Sequence, residues 1–322
     1  MLTSLTIERL RGVRHGTIEG CGRVNLLVGP NGAGKSTVLE ALCLLSAAAQ
    51  ATDPVGRSYT QTIMQRRNEA PEAGSPFPRA WWFRLDRKQP IDVSMKIGHD
   101  PNHITSAETS YHANSSDPKT IAMTDPAKRR LSSTLLIDVD TVRDPDIERR
   151  LWDDLFRLRL DKQIAPEINR IYGLGLEHLT AEVGTGRLLA ALPNTGLPLD
   201  ALAAGVRMAI RLLIVQLATR GSLLLLEEID AFQSRQSLLG LAECIVRLAR
   251  AHDGQVFIST HRHLTIEAFL KAGAPEGDVV VLPLQLDAEG ELRGKAMQHA
   301  DAVTFTDAGG DVRDLFRLRA IK

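Results

Sequence analysis

Gly29-Pro30-Asn31-Gly32-Ala33-Gly34-Lys35-Ser36-Thr37 is a complete G-x-x-x-x-G-K-[ST] phosphate loop. An apolar run, Val24 to Val28, leads into it, and a helical pattern, Thr37 to Leu45, leads out. Strand, glycine loop and helix in that order let backbone N–H groups close around a polyphosphate, while the helix N-terminus adds partial positive charge. The spacing predicts that Lys35 reaches the β- and γ-phosphates of a nucleoside triphosphate and that the Ser36 hydroxyl ligates Mg²⁺. Asn31, Gly32, Ala33, Gly34 and Thr37 complete the predicted cradle. A chance Gly-rich turn is the bland alternative, and the strand and helix flanking the loop weigh against it.

The bulk properties set few further limits. The chain has 322 residues, 43% apolar and 24% charged, enough to bury a sizeable core. Its length suggests roughly two domains. Lys+Arg and Asp+Glu are both 39, so the formal net charge is zero. A strongly basic nucleic-acid binder is disfavoured, although a local basic patch is not. Cys21, Cys43 and Cys244 lie far apart without ligand spacing and read as reduced, buried thiols of a cytoplasmic protein. Met1 to Arg9 lacks an apolar stretch after a basic start, and no apolar run of about 18 residues occurs. The expectation is a chain with neither signal peptide nor membrane span.

Along the chain, residues 2 to 8 and 24 to 28 read as strands on either side of a basic segment, Arg9 to Arg14. A helix is expected from the phosphate loop to about Ala49, then loop over residues 51 to 80 with one short helix. Residues 81 to 98 and 103 to 112 alternate like half-buried strands. Residues 114 to 130, with Lys128-Arg129-Arg130, read as an exposed loop, and Leu135 to Val139 as a strand. Ile147, Leu151, Leu155 and Leu158 mark an amphipathic helical region over 145 to 171. A hairpin with its turn at Val183 to Arg187 spans 177 to 192. From Leu202 onward, helices alternate with the continuously apolar strands Leu223 to Leu226, Val256 to Ser259 and Val279 to Leu286. That alternation predicts a parallel sheet buried on both faces.

Two of those strands end in reactive side chains. Leu223 to Leu226 runs into Glu227 and Glu228. Beside a phosphate loop, the first acid is placed to hold Mg²⁺ and the second to orient or deprotonate an attacking water. Without the loop, a buried strand ending in solvated acids would be the better reading. Val256 to Ser259 runs into Thr260 and His261, where an imidazole can hydrogen-bond a γ-phosphate or the water. A plain exposed loop histidine is the alternative, and His263 fits that description.

Together these motifs resemble the ATP-binding-cassette class of ATPases, and within it the SMC/RecF-like and OLD-like branch. Leu2-Thr3-Ser4-Leu5-Thr6-Ile7-Glu8-Arg9-Leu10-Arg11 is similar to the branch's first strand and its following arginine, which implies a nucleotide-binding role for Arg11. Leu202-Ala203-Ala204-Gly205-Val206-Arg207 stands where the class carries its L-S-x-G-x-x-R signature, with Ala203 in place of the serine. The resemblance implies that Gly205 approaches the γ-phosphate through its backbone. Glu227 replaces the more usual Asp, and Asp230 begins the segment that the branch uses between subunits. No glutamine is identifiable as the Q-loop residue, with Gln61 and Gln65 as candidates. The resemblance covers residues 1 to 50 and about 195 to 290.

The implied fold is an α/β P-loop NTPase of ABC-ATPase type: a mixed central sheet, an antiparallel β layer and a helical lid. Residues 1–50 and 195–322 are expected to form the ATPase core, and 51–194 an inserted β layer and lid. The interval from Lys35 to Glu227 is long for a transporter cassette and short for an arm-bearing protein, and sustained heptads are absent. After the last cassette strand too few residues follow for the nuclease domain of OLD-type proteins. The expected molecule is therefore an ATP- and Mg²⁺-dependent head. It would dimerise head to tail around two ATP molecules and control a separate effector, a nuclease or toxin, in anti-phage defence or genome maintenance. A RecF-like DNA-binding repair ATPase is the alternative, and a transporter subunit ranks last because Ala203 and Arg207 depart from L-S-G-G-Q. Arg66-Arg67, Lys128 to Arg130 and Arg149-Arg150 are candidate nucleic-acid or partner surfaces, with a solvated face as the simpler reading.

Overall fold

The computed structural model describes residues 1–98, 105–115, 117–140, 144–274 and 277–316. The chain opens with a hairpin, β1 (Leu2–Leu10) and β2 (Val13–Glu19), joined by a turn in which Arg11 takes a left-handed φ of 58°. The basic segment is thus not a linker, because β1 and β2 absorb most of it. Strand β3 (Val24–Val28) is buried at every position and delivers the phosphate loop to α1 (Lys35–Ala49). Helix α1 is itself buried from Thr37 to Ser46, so its side chains are apolar nearly all round.

The short helix α2 (Tyr59–Arg66) follows, N-capped by Ser58. The stretch expected to begin a strand at 81 instead forms two short helical turns that bury Trp81 and Trp82. Only β4 (Ile91–Ile97) and β5 (Thr105–Tyr111) alternate as strands, and residues 103 and 104 of the expected second strand lie outside the described residues. Residues 114 to 130, of which 116 lies outside the described residues, are not all loop. They contain β6 (Lys119–Met123) and α3 (Asp125–Leu131), where Pro126 in the first turn and Ala127 and Leu131 on the buried side stabilise a helix that composition alone disguised. Strand β7 (Leu135–Ile137) then precedes α4 (Pro145–Arg157) and α5 (Ile164–Tyr172).

A separate three-stranded sheet comprises β8 (His178–Ala181), β9 (Leu188–Leu192) and β10 (Thr195–Pro198). The alternating half follows as α6 (Ala204–Ala218), β11 (Leu223–Glu227), α7 (Arg235–Ala251), β12 (Gln255–Thr260), α8 (His263–Gly273) and β13 (Val279–Leu286). Two further elements, β14 (Glu291–Gly294) and α9 (His299–Asp307), were not foreseen.

The main sheet has eleven strands in the order β6-β5-β4-β1-β2-β14-β13-β3-β12-β11-β7. From β13 to β7 all pairings are parallel, and from β6 to β2 all are antiparallel. The four-residue β14 joins the halves, antiparallel to β13 and parallel to β2. Successive residues of the parallel strands point to opposite faces. Leu26, Leu224 and Val281 join one core with α4 to α8, whereas Leu27, Leu225 and Leu282 join a second core with α1 and the antiparallel strands. Helix α4 packs on α6, and α5 on α6 and α7. Within that packing, the buried Arg211 of α6 binds Glu148 of α4 through both nitrogens, at 2.6 and 2.9 Å, and Asp200 at 3.0 Å.

Candidate active site

The phosphate loop lies at the carboxyl ends of parallel strands β3, β11 and β12, where doubly covered sheets present their ligands. Gly34 caps α1 with φ 91°, a left-handed conformation that favours glycine there. No side chain caps α1, which leaves its first N–H groups for an anion. Lys35 Nζ folds over the loop and donates to the Gly29 and Pro30 carbonyls, each at 2.9 Å. Burial lowers the Lys35 pKa, and Glu228 opposes the shift. The loop therefore fits a polyphosphate whose oxygens replace the carbonyls around the ammonium.

The cleft around this loop measures about 450 Å³ and is lined by residues 31 to 37 together with Arg11, Arg67, Glu227, Glu228 and Thr260. Ser36 Oγ donates a short hydrogen bond to Glu227 Oε1, which ties α1 to the end of β11. The other Glu227 oxygen is held by the Arg66 guanidinium, whose Nε also donates to Asp138 at 2.7 Å. A hydroxyl and a carboxylate side by side, with a cation already drawn to them, suit Mg²⁺. Among the described residues no cluster of three or more His, Cys, Asp or Glu could hold a metal unaided. Mg²⁺ would rest on Ser36, Glu227, water and the nucleotide's own oxygens.

Glu228 follows in a left-handed conformation, φ 52°, with its N–H donating to Ser259 O at 3.2 Å. Its carboxylate, 56% exposed, faces the cleft, and His261 Nδ1 lies 3.5 Å from Glu228 Oε1. Asp230 is buried and accepts hydrogen bonds from Thr260 and Thr265, pinning the turn after β11 to β12 and α8.

Arg11 reaches the cleft from the β1–β2 turn. Its guanidinium binds Glu40 at 2.9 Å and Glu69, and lies 5.8 Å from the Trp81 ring centroid. Burial works against the cation, but hydrogen bonds to Glu69 and Glu40 outweigh it and raise its pKa. Gly205 is not in this cleft. It lines a second one, about 620 Å³, with Ala203, Tyr172, Phe232 and Ser234.

The basic clusters are placed differently from expectation. Gln61 and Gln65 are exposed on α2 and do not line the cleft, whereas Arg66 at its C-terminal end packs inward against Asp138 and the exposed Arg67 lines the cleft. Arg67 binds Glu40 at 3.0 Å. Arg130 donates to the Gly221 and Asp253 carbonyls and to the Asp253 carboxylate, Arg150 binds Val55 O, and Arg149 pairs with Asp146. Arg130 and Arg150 are engaged within the chain, whereas Lys128 and Arg129 are exposed and Arg149 pairs with Asp146 at the surface. Sequence reasoning missed Arg66, because an Arg-Arg pair at a helix end looks the same whether solvated or buried. It also missed Tyr172 and Gln233, which contact Gly205 from 33 and 28 residues away.

A family model described as an AAA domain matches residues 4–73, the segment that contains the phosphate loop. An uncharacterized protein of Methanocaldococcus jannaschii is 38% identical over 50 residues, a match that spans 16% of this chain and 23% of that relative. Among solved structures, the Smc head domain of Pyrococcus furiosus, bound to the C-terminal domain of ScpA, matches with TM-score 0.61 at 11% identity over 95% of this chain and 98% of its own. An SmcHead bound to the C-winged helix domain of ScpA matches with TM-score 0.57 at 13% identity, over 94% of this chain and 99% of its own. The SMC head domain of Thermotoga maritima matches with TM-score 0.51 at 13% identity, over 92% of this chain and 98% of its own. Among the described residues no helix is long and apolar enough to cross a membrane. The chain thus has the fold of SMC head domains, with an AAA-domain match over the segment that carries its phosphate loop.

Proposed function

We propose that this chain binds ATP with Mg²⁺ in the phosphate-loop cleft, hydrolyses it, and does so as a head-to-tail pair that controls a separate effector. The observation that carries the reading is the Ser36–Glu227 contact, which brings the loop and the acid pair of β11 into one cleft. Lys35 and the first turn of α1 bind the phosphates. Ser36 and Glu227 hold Mg²⁺, which supplies charge compensation on the phosphate oxygens when bound. Glu228 accepts a proton from the attacking water, and His261 fixes the Glu228 carboxylate or meets the γ-phosphate.

The second cleft supports the paired arrangement. Gly205 lies away from its own loop, so its backbone would meet the γ-phosphate held by Lys35 of another copy. Residues 51–194 act in this reading as a β layer and helical lid on the core formed by 1–50 and 195–322. Solved relatives of this fold hold ScpA domains, which favours a head that docks a protein partner. A nuclease or toxin effector, in anti-phage defence or genome maintenance within the cytoplasm, is the partner class we propose. The internal engagement of Arg130 and Arg150, and the formal net charge of zero, weigh against the DNA-binding alternative.

The test is binding and turnover measured side by side. Lys35→Ala is expected to abolish ATP binding. Glu228→Gln should keep binding yet lose about 10²- to 10⁴-fold in turnover, because an amide cannot take the proton. Wild-type turnover by Glu228→Gln would remove Glu228 from its role, and undiminished binding by Lys35→Ala would remove the site.

A further inference from the structure

Gly205 opens the first turn of α6, directly after Ala204. A Cβ on Gly205 would lie 2.6 Å from the Phe232 carbonyl oxygen, so the turn packs backbone against backbone. Its own carbonyl is held from outside the helix. Gln233 Nε2 donates to Gly205 O at 3.0 Å, and the Tyr172 hydroxyl lies 3.0 Å from the same oxygen and 2.7 Å from Gln233 Oε1. The hydroxyl has one proton to give, and the closed triangle satisfies it on either acceptor.

A planar trans peptide makes this clamp directional. The N–H of Val206 belongs to the same plane as the Gly205 carbonyl and points the opposite way. Holding the carbonyl therefore aims the N–H. The N-cap residue Ala203 supplies no side-chain hydrogen bond, so the first N–H groups of α6 are available to an incoming anion. Burial pushes the Tyr172 hydroxyl up to about 12, which keeps it a donor at neutral pH.

We propose that Tyr172 and Gln233 are positioning residues that orient the backbone of the Gly205 turn toward the nucleotide of a second copy, in place of the serine hydroxyl missing at 203. Tyr172 ends α5 and Gln233 follows the acid pair of β11, so the clamp joins lid, turn and catalytic strand. The inference rests on the paired-head reading above.

The experiment measures the dissociation constant of the ATP-bound dimer in a Glu228→Gln background, with ADP affinity and thermal midpoint recorded alongside. Tyr172→Phe removes only the hydroxyl and is expected to weaken the dimer about three- to tenfold. ADP affinity should stay at the parent value, since it does not depend on a second copy, and the midpoint should fall by only a few degrees, the cost of about one hydrogen bond. Gln233→Leu, judged by the same three quantities, should act in the same direction and serves if Tyr172→Phe folds poorly. Unchanged dimer affinity in both variants would overturn the inference, and so would an ADP affinity that falls in parallel. A parent protein that never dimerises with ATP would instead overturn the paired-head reading and this inference with it.

Discussion

Glu227 and Arg66 show how one residue's neighbours change its chemistry. The Glu227 side chain reaches the Ser36 hydroxyl directly. Its second oxygen is taken by the Arg66 guanidinium. Any cation arriving at Glu227 must therefore compete with a positive charge already in place. Arg66→Ala is expected to lower the Mg²⁺ concentration that gives half-maximal turnover by about three- to tenfold, a range set by loss of one partly buried charge. A Mg²⁺ titration of turnover checks this, and an unchanged or higher requirement would show that Arg66 does not compete. The contiguous groups of this site were legible in the sequence, because a phosphate loop, an acid pair after an apolar strand and a histidine after another each follow a local rule. Arg66 was not, since only the tertiary fold brings the end of α2 to the end of β11.

At the scale of elements, α4 is tied to α6 by a buried ion pair. Arg211 on α6 and Glu148 on α4 are 1% and 3% exposed, and the guanidinium grips both carboxylate oxygens. Removing one partner strands the other charge in an apolar layer. Arg211→Ala should cost about 3–5 kcal/mol in denaturant unfolding, whereas Arg211→Met combined with Glu148→Leu should restore most of that loss. A single substitution costing less than about 1 kcal/mol would show that the pair does not anchor α4 to α6. Elements with strong patterns were readable: β4 alternates its burial, and β3, β11 and β12 are mainly apolar and buried at every position but Glu227. Others escaped for physical reasons. Strand β14 has four residues, Glu-Leu-Arg-Gly, with too short a pattern to register, yet it joins the two halves of the sheet. Helix α3 buries only Ala127 and Leu131 and carries Lys128, Arg129 and Arg130, so its composition reads as loop.

For the whole molecule, the two clefts have complementary contents. One holds Lys35, Ser36, Glu227 and Glu228, and the other presents the Gly205 turn beside exposed Phe232. In the paired arrangement proposed above, a two-fold axis would place each cleft against the other's counterpart. Such a pairing is invisible to strand and helix periodicity, because it depends on which surfaces remain open after folding. The most direct measurement is the solution mass of Glu228→Gln with and without ATP and Mg²⁺, repeated with Gly205→Asp added. The account predicts that ATP doubles the mass of Glu228→Gln and that Gly205→Asp keeps it at the monomer value through bulk against Phe232 O and charge against phosphate. A mass that ATP never changes, together with turnover undiminished by Gly205→Asp in the wild-type background, would contradict it.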